Sequence, residues 1–188
     1  MNDERDSRKG AAAPVQTFLL PENHPFPNNA DLVAIYYPHG VVLDREDPAG
    51  SMEAHFAANS WGYSWRNGIF PYHHYHSTAH EVLGIAAGTA RVRLGGDGEI
   101  GVEIEMSAGD TLVIPAGVAL KNLGSSQDLV AIGAYPPGQL WDVNTGEDDE
   151  RPRTDEKIAH LPLPTTDPVH GESGPLIDFW LAHHARSL

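Results

Sequence analysis

Two short stretches alternate apolar and charged residues so regularly that one local structure suits both. In "TARVRL" (89–94), Ala90, Val92 and Leu94 alternate with Arg91 and Arg93. In "EIGVEIEM" (99–106), Ile100, Val102, Ile104 and Met106 alternate with Glu103 and Glu105. A period of two is the period of a β-strand, so each stretch shows one face to a core and the other to water. "GGDG" between them reads as a turn. A five-residue loop, Gly95–Glu99, keeps both apolar faces inward and sets Arg91 opposite Glu103, whereas a four-residue loop would put Arg93 beside Ile100. The expected pairing is therefore Arg91 with Glu103.

Elsewhere, nineteen glycines and fifteen prolines punctuate short apolar runs, the mark of an all-β chain with many turns. "DLVAIYY", "TLVIP", "VALKN" and "DLVAIGAY" read as further strands, and Asn67-Gly68 reads as a hairpin turn. Asp47 as N-cap, Pro48 at the first helical position and the Met52/Phe56 spacing predict a short helix with one buried face. A second helix is expected from Pro175, with Leu176, Ile177, Trp180 and Leu181 on one stripe. His183, His184 and Arg186 would lie at its C-terminal end. "TGEDDERPRTDEK" (145–157) reads as a solvated loop, its acidic run 147–150 solubilising. There is no internal repeat.

At 188 residues the chain reads as one domain. A chain this long buries roughly 70% of its unfolded surface in a single core and needs no staple. It has no cysteine, which excludes thiolate metal sites and thiol nucleophiles. No apolar run nears the ~20 residues that span a bilayer. Residues 1–15 carry charges of both signs and no apolar segment, so they read as a disordered tail rather than a signal peptide, and the expected location is cytoplasmic. With 26 acidic against 12 basic residues the net charge is −14, which repels phosphate backbones and anionic membranes. A small molecule or a protein is the expected partner, not nucleic acid or a membrane.

The chemistry concentrates in "FPYHHYHSTAHEVLG" (70–84), where four histidines fall within eight residues and a glutamate follows. Gly68 is followed by five residues, His74-x-His76, four residues, Glu81, six residues and Gly88. After twenty more residues come Gly109, five residues and Pro115-x-Gly117. In a strand His74 and His76 aim both imidazoles into one space, with Phe70 and Tyr72 on the same face. Glu81 can add a carboxylate. Two neutral nitrogens and a carboxylate suit a divalent transition metal.

This spacing closely resembles the two signature motifs of the cupin superfamily, over about Gly68 to Leu123. "NSWGYSWRNGIFPYHHYHSTAHEVLG" through "GAYPPG" is similar to a bacterial single-domain cupin branch of largely unassigned function. The resemblance implies a cupin-type β-barrel (a double-stranded β-helix or jelly roll) over residues 16–188, with a short N-terminal helix and a C-terminal helix. It also implies metal ligands pointing into the lumen and a homodimer, expected through a strand near 16–19 or through the C-terminal helix. Metal-binding cupins carry a fourth ligand, a histidine three residues after the second glycine of the second motif. Here that position is Leu120, and the asparagine expected four residues later is Gly124. Lys121 should face solvent, so Leu120 faces the lumen.

Three readings stay open. His74, His76 and Glu81 form a three-ligand site for iron, manganese, nickel or zinc with open positions, or His80 or Asn122 completes the shell. In the third reading, the metal is absent or weakly held and Leu120 makes an apolar ligand pocket. A bound ion would leave the site about +1 and favour an anionic substrate such as a carboxylate or enolate, with oxygenase-like chemistry. The alternative is a non-catalytic binding protein with a degenerate metal site. Metal-free sugar isomerisation is weaker, because a histidine base needs an orienting carboxylate and only Glu81 offers one. Among the remaining residues, alternation points His73 away from the lumen and makes His80 a surface or interface histidine. Tyr72 reads as a core tyrosine with a bonded hydroxyl, and Arg91 and Arg93 as a solvated face.

Overall fold

The computed structural model describes residues 14–181. The strands are β1 (Gln16–Leu20), β2 (Asn29–Tyr37), β3 (Gly62–Asn67), β4 (Glu81–Ala87), β5 (Thr89–Leu94), β6 (Val102–Ser107), β7 (Thr111–Ile114), β8 (Leu120–Ser125) and β9 (Val130–Tyr135). The helices are α1 (Pro48–Ala58) and α2 (Arg153–Ala159). One six-stranded sheet has the order β1-β2-β7-β4-β9-β3, and a three-stranded sheet the order β6-β5-β8, all pairs antiparallel. The two sheets pack face to face as a jelly roll.

Alternation sorts the side chains into two cores. Between the sheets lie Ala34, Tyr36, Leu83, Ile85 and Leu112 of the large sheet, against Val92, Leu94, Ile104 and Leu120 of the small one. The intervening residues Ile35, Tyr37, Val82, Val113 and Ile132 point the other way, under α1, Trp61 and Trp180. The central strand β4 is thus buried on both faces, and the outer face belongs to the helices. Helix α1 starts as its sequence predicts. Asp47 accepts a hydrogen bond from Gly50 N–H at 2.9 Å, and Met52 and Phe56 are fully buried. They lie so close to β4 that a Cβ on Gly84 would meet the Met52 sulfur at 2.3 Å.

Four expectations are corrected here. Arg91 pairs with Glu105 and Arg93 with Glu103, because the loop between β5 and β6 runs from Gly95 to Gly101. Its glycines Gly95, Gly96 and Gly98 adopt positive φ, Asn23 Nδ2 donates to the carbonyls of Gly95 and Asp97, and Arg93 donates to Gly96. A shift of two residues leaves every strand side chain on its expected face, though Ile100 falls in the loop and is part exposed. Asn67-Gly68 forms no hairpin, since β3 pairs with β9, some seventy residues away. Residues 145–157 are not one solvated loop. Glu150 is buried, accepting from Tyr75 Oη and from the amides of Thr145 and Gly146, and Arg153–Ala159 is helical. Arg93 is largely covered, donating to Glu103 at 2.9 Å, while Arg91 remains exposed.

The helical segment from Pro175 buries Leu176 and Trp180 and continues as a π-helical turn over Ile177–Leu181. His183, His184 and Arg186 lie outside the described residues, as does most of the expected tail. Among the described residues no helix is long and apolar enough to cross a membrane.

Candidate functional site

Residues 69–76 form no regular strand: the chain bends at Pro71 and Tyr72, and His74 and Tyr75 make isolated bridges to Leu120 and Asn144. His74 exchanges both backbone hydrogen bonds with Leu120, N–H to O at 3.0 Å and the reverse at 2.8 Å, which ties this segment to the start of β8. That pairing fixes which way the side chains alternate. Phe70, Tyr72, His74 and His76 line up ring against ring at 5.0–6.1 Å, as the sequence predicts. Glu81 opens β4 opposite Ile114, on the lumen face shared by Leu83 and Ile85.

His74, His76, Glu81 and Leu120 therefore meet at one pocket of about 230 Å³. All four are more than nine-tenths buried. Each histidine has its ring orientation set by a backbone carbonyl. His74 Nδ1–H donates to Tyr72 O at 3.3 Å, and His76 Nδ1–H donates to Asp142 O. A carbonyl only accepts, so the proton sits on Nδ1 in both rings and Nε2 is the free lone pair. His76 Nε2 faces Glu81 Oε2 at 3.4 Å. The other carboxylate oxygen accepts from Tyr135 Oη at 3.3 Å, and Trp65 Nε1 donates to that hydroxyl at 2.8 Å.

The two rings titrate in opposite directions. Burial lowers His74 below the ordinary histidine value, and the Glu81 charge offsets only part of it. Burial also works against the charged form of His76, but in that form Nε2–H would donate to Glu81, and this bond, the Glu81 charge and the Asp142 carbonyl outweigh burial, so the pKa rises. His76 Nε2 and Glu81 thus attract a positive charge placed between them. Among the described residues, no group of three His, Asp or Glu side chains is already arranged as a metal site.

Other residues fall differently from expectation. His80 is buried, not at the surface. Its Nδ1 accepts from Ala116 N–H at 3.0 Å, its ring packs on Trp180 at 4.9 Å, and burial pushes its pKa down to about 3. Asn122 turns to Gly124 N–H, which donates to its Oδ1 at 2.9 Å. Neither supplies a fourth donor. Tyr72 is half exposed and stacks on Phe70 rather than sitting in the core. His73 points away from the lumen, as alternation predicts, and contacts Asp97 at 3.0 Å. Four further residues, outside the motif spacing, complete the site. Trp65, Tyr135 and Trp141 wall the pocket, and Asp142 orients His76. Only Tyr135 had a signal, its place at the end of a predicted strand.

No family model matches the chain. It is 37% identical over 166 residues to the uncharacterized protein YjlB of Bacillus subtilis (strain 168), an alignment covering 88% of this chain and 96% of that protein. The chain belongs to the YjlB family. Its two motifs and paired antiparallel sheets make it a cupin-type jelly roll. Among solved structures, RmlC from Streptococcus suis in complex with dTDP-D-xylose aligns at 12% identity and TM-score 0.38, over 89% of this chain and 94% of that one. Procruciferin, an 11S globulin from Brassica napus, aligns at 18% identity and TM-score 0.36, over 62% of this chain. The match spans 23% of procruciferin's length. Neither likeness extends to activity.

Proposed function

We propose that His74, His76 and Glu81 hold a divalent transition metal and that the protein acts on a small organic molecule in the pocket above it, in an oxygenase-like reaction. The observation that carries this reading is the approach of His76 Nε2 to Glu81 Oε2, with the proton of both rings held on the opposite nitrogen by backbone carbonyls. Carbonyl or carboxylate partners on the far nitrogen are the usual support of metal-ligating histidines. Iron, manganese, nickel and zinc all suit the donor set. A bound metal would supply Lewis acidity or O₂ activation.

The chain's own groups do the rest. Tyr135 Oη–H holds one Glu81 oxygen and leaves the other facing His76. The Asp142 carbonyl fixes the His76 tautomer. Leu120, 3% exposed, keeps the floor apolar and adds no donor, so a three-ligand site has coordination positions left for substrate. The β1 edge of the large sheet is our proposed homodimer surface, which sedimentation would test.

Leu120 also favours a second reading, a non-catalytic binder with a degenerate metal site. Elemental analysis of purified wild type, His76→Ala and Leu120→His separates the two. Near-stoichiometric metal in wild type and its loss in His76→Ala is the expected result. Metal appearing only in Leu120→His would leave the binder.

A further inference from the structure

We infer that the ligand of this pocket is a small, flat aromatic molecule carrying a hydroxyl group. The inference rests on the lumen site described above, but not on the metal. Three features of the pocket lead to it.

The first is charge. No lysine or arginine lines the pocket, and Glu81 is its one acidic residue. Phosphates, sulfonates and nucleotide sugars would find no counter-charge there, on a chain whose net charge is already −14.

The second is the wall. An aromatic pair stands beside each histidine. Phe70 and Tyr72 stack at 5.0 Å and 17°, with Phe70 edge-on to His74 at 5.0 Å. Tyr135 and Trp141 stack at 6.1 Å and 25°, with Trp141 5.9 Å from His76. Phe70 and Trp141 line the pocket, yet they stay 45% and 49% exposed, so ring surface is left for another ring to cover. The chain that carries Trp141 is anchored on both sides. On one side of it Thr78 Oγ1–H donates to Leu140 O at 2.7 Å, and on the other the Asp142 carboxylate accepts from Ser77 and Lys157. A wall held in place before binding costs the ligand little ordering entropy.

The third is the polar inventory. The Trp65 N–H and the Tyr135 hydroxyl hydrogen are committed to Tyr135 and Glu81. Apart from the amide of the exposed Asn67, what remains towards the pocket beside the histidines is acceptor in character, His74 Nε2 and the Glu81 carboxylate. A ring hydroxyl can donate to them, and the same oxygen, ionised, suits a metal held at that place. A sugar would leave most of its hydroxyls unpaired against indole and phenyl faces, at a cost for each. The volume of about 230 Å³ is below the ~300 Å³ at which drug-sized sites begin, which limits the ligand to one or two fused rings.

The test is calorimetric titration of the full chain with 2-naphthol, naphthalene and glucose 1-phosphate, on chelator-treated and on metal-loaded protein. We expect 2-naphthol to bind in both states, naphthalene roughly tenfold more weakly, and glucose 1-phosphate not at all to the chelator-treated protein. Trp141→Ala should weaken 2-naphthol roughly tenfold. Should that variant fail to fold, Phe70→Ala serves in its place. Glucose 1-phosphate binding the chelator-treated protein as tightly as 2-naphthol overturns the inference, and so does an unchanged affinity in a folded Trp141→Ala. Metal content on the same samples keeps the two ideas apart. Metal-free protein that binds 2-naphthol and takes up no metal sinks the metal reading alone. Metal-loaded protein that refuses 2-naphthol sinks this inference alone.

Discussion

Glu81 and Asp167 are both buried carboxylates, 3% and 0% exposed, and they lie on opposite sides of the large sheet. Asp167 sits under the outer face. Its oxygens accept from Tyr37 Oη and from the amides of Val169, His170 and Leu176, all at 2.8–3.0 Å. Glu81 lies between the sheets with one hydroxyl donor, at 3.3 Å, and a histidine nitrogen at 3.4 Å. A buried charge is costly unless hydrogen bonds replace its water. Asp167 is fully compensated by its own chain and serves the fold, whereas Glu81 is compensated loosely, as befits a group with a further partner to take on. Burial alone would not separate the two. The count and length of the donors does.

This contrast can be broken, and the largest effect should come from the satisfied site. Asp167→Ala leaves one hydroxyl and three amides unpaired in the outer core and should cost about 3 kcal/mol or more in urea unfolding. Metal content per folded molecule should not change. Glu81→Gln should do the reverse. Metal affinity should fall about a hundredfold or more, while stability stays within about 1 kcal/mol of wild type. If Glu81→Gln unfolds as readily as Asp167→Ala, the distinction between the two carboxylates is lost.

Smaller changes sharpen it. Leu120→His puts a third imidazole at the start of β8, opposite His74, and should raise metal affinity about tenfold or more, read by competition with a chelator. The smallest effect concerns the strap that carries Trp141. Burial works to raise the Asp142 pKa, but the Ser77 hydroxyl and amide, then Asn144 and Lys157, overcome it and hold it at about 2, below the ordinary 3.8. A carboxyl with a depressed folded pKa stabilises the fold above its ordinary value, and that contribution is lost as pH falls through about 2. Asp142→Asn should therefore flatten the fall in stability between pH 3.8 and about 2. An unchanged acid limb would mean the strap is not held by this charge.

Much of the candidate site was legible because its members are close in sequence and strands alternate. His74 and His76 share a face at any strand position, and Lys121 facing solvent turns Leu120 inward. The same logic misjudged His80. Alternation correctly turned it away from the lumen, but the far side of the sheet is not solvent here, because Trp180 from the end of the chain covers it. Glu150 was misread for a like reason. In an acidic run it looks solubilising, and only Tyr75, brought over it by folding, makes it a buried acceptor.

By itself, then, the amino-acid order determined the period-two strands, the capped α1 helix and the spacing that brings two imidazoles and a carboxylate to one lumen, since these depend on contacts within a few residues or on backbone geometry. The tertiary structure decided the rest. It chose the β5–β6 register, because a slip of two residues leaves every face unchanged and so leaves no trace in an alternating pattern. It paired β3 with β9 rather than with its neighbour, and it set Trp141 and the Asp142 carbonyl against His76 from some sixty-five residues away. Such contacts form only where sheets and loops meet, and no local periodicity encodes which distant segment will arrive.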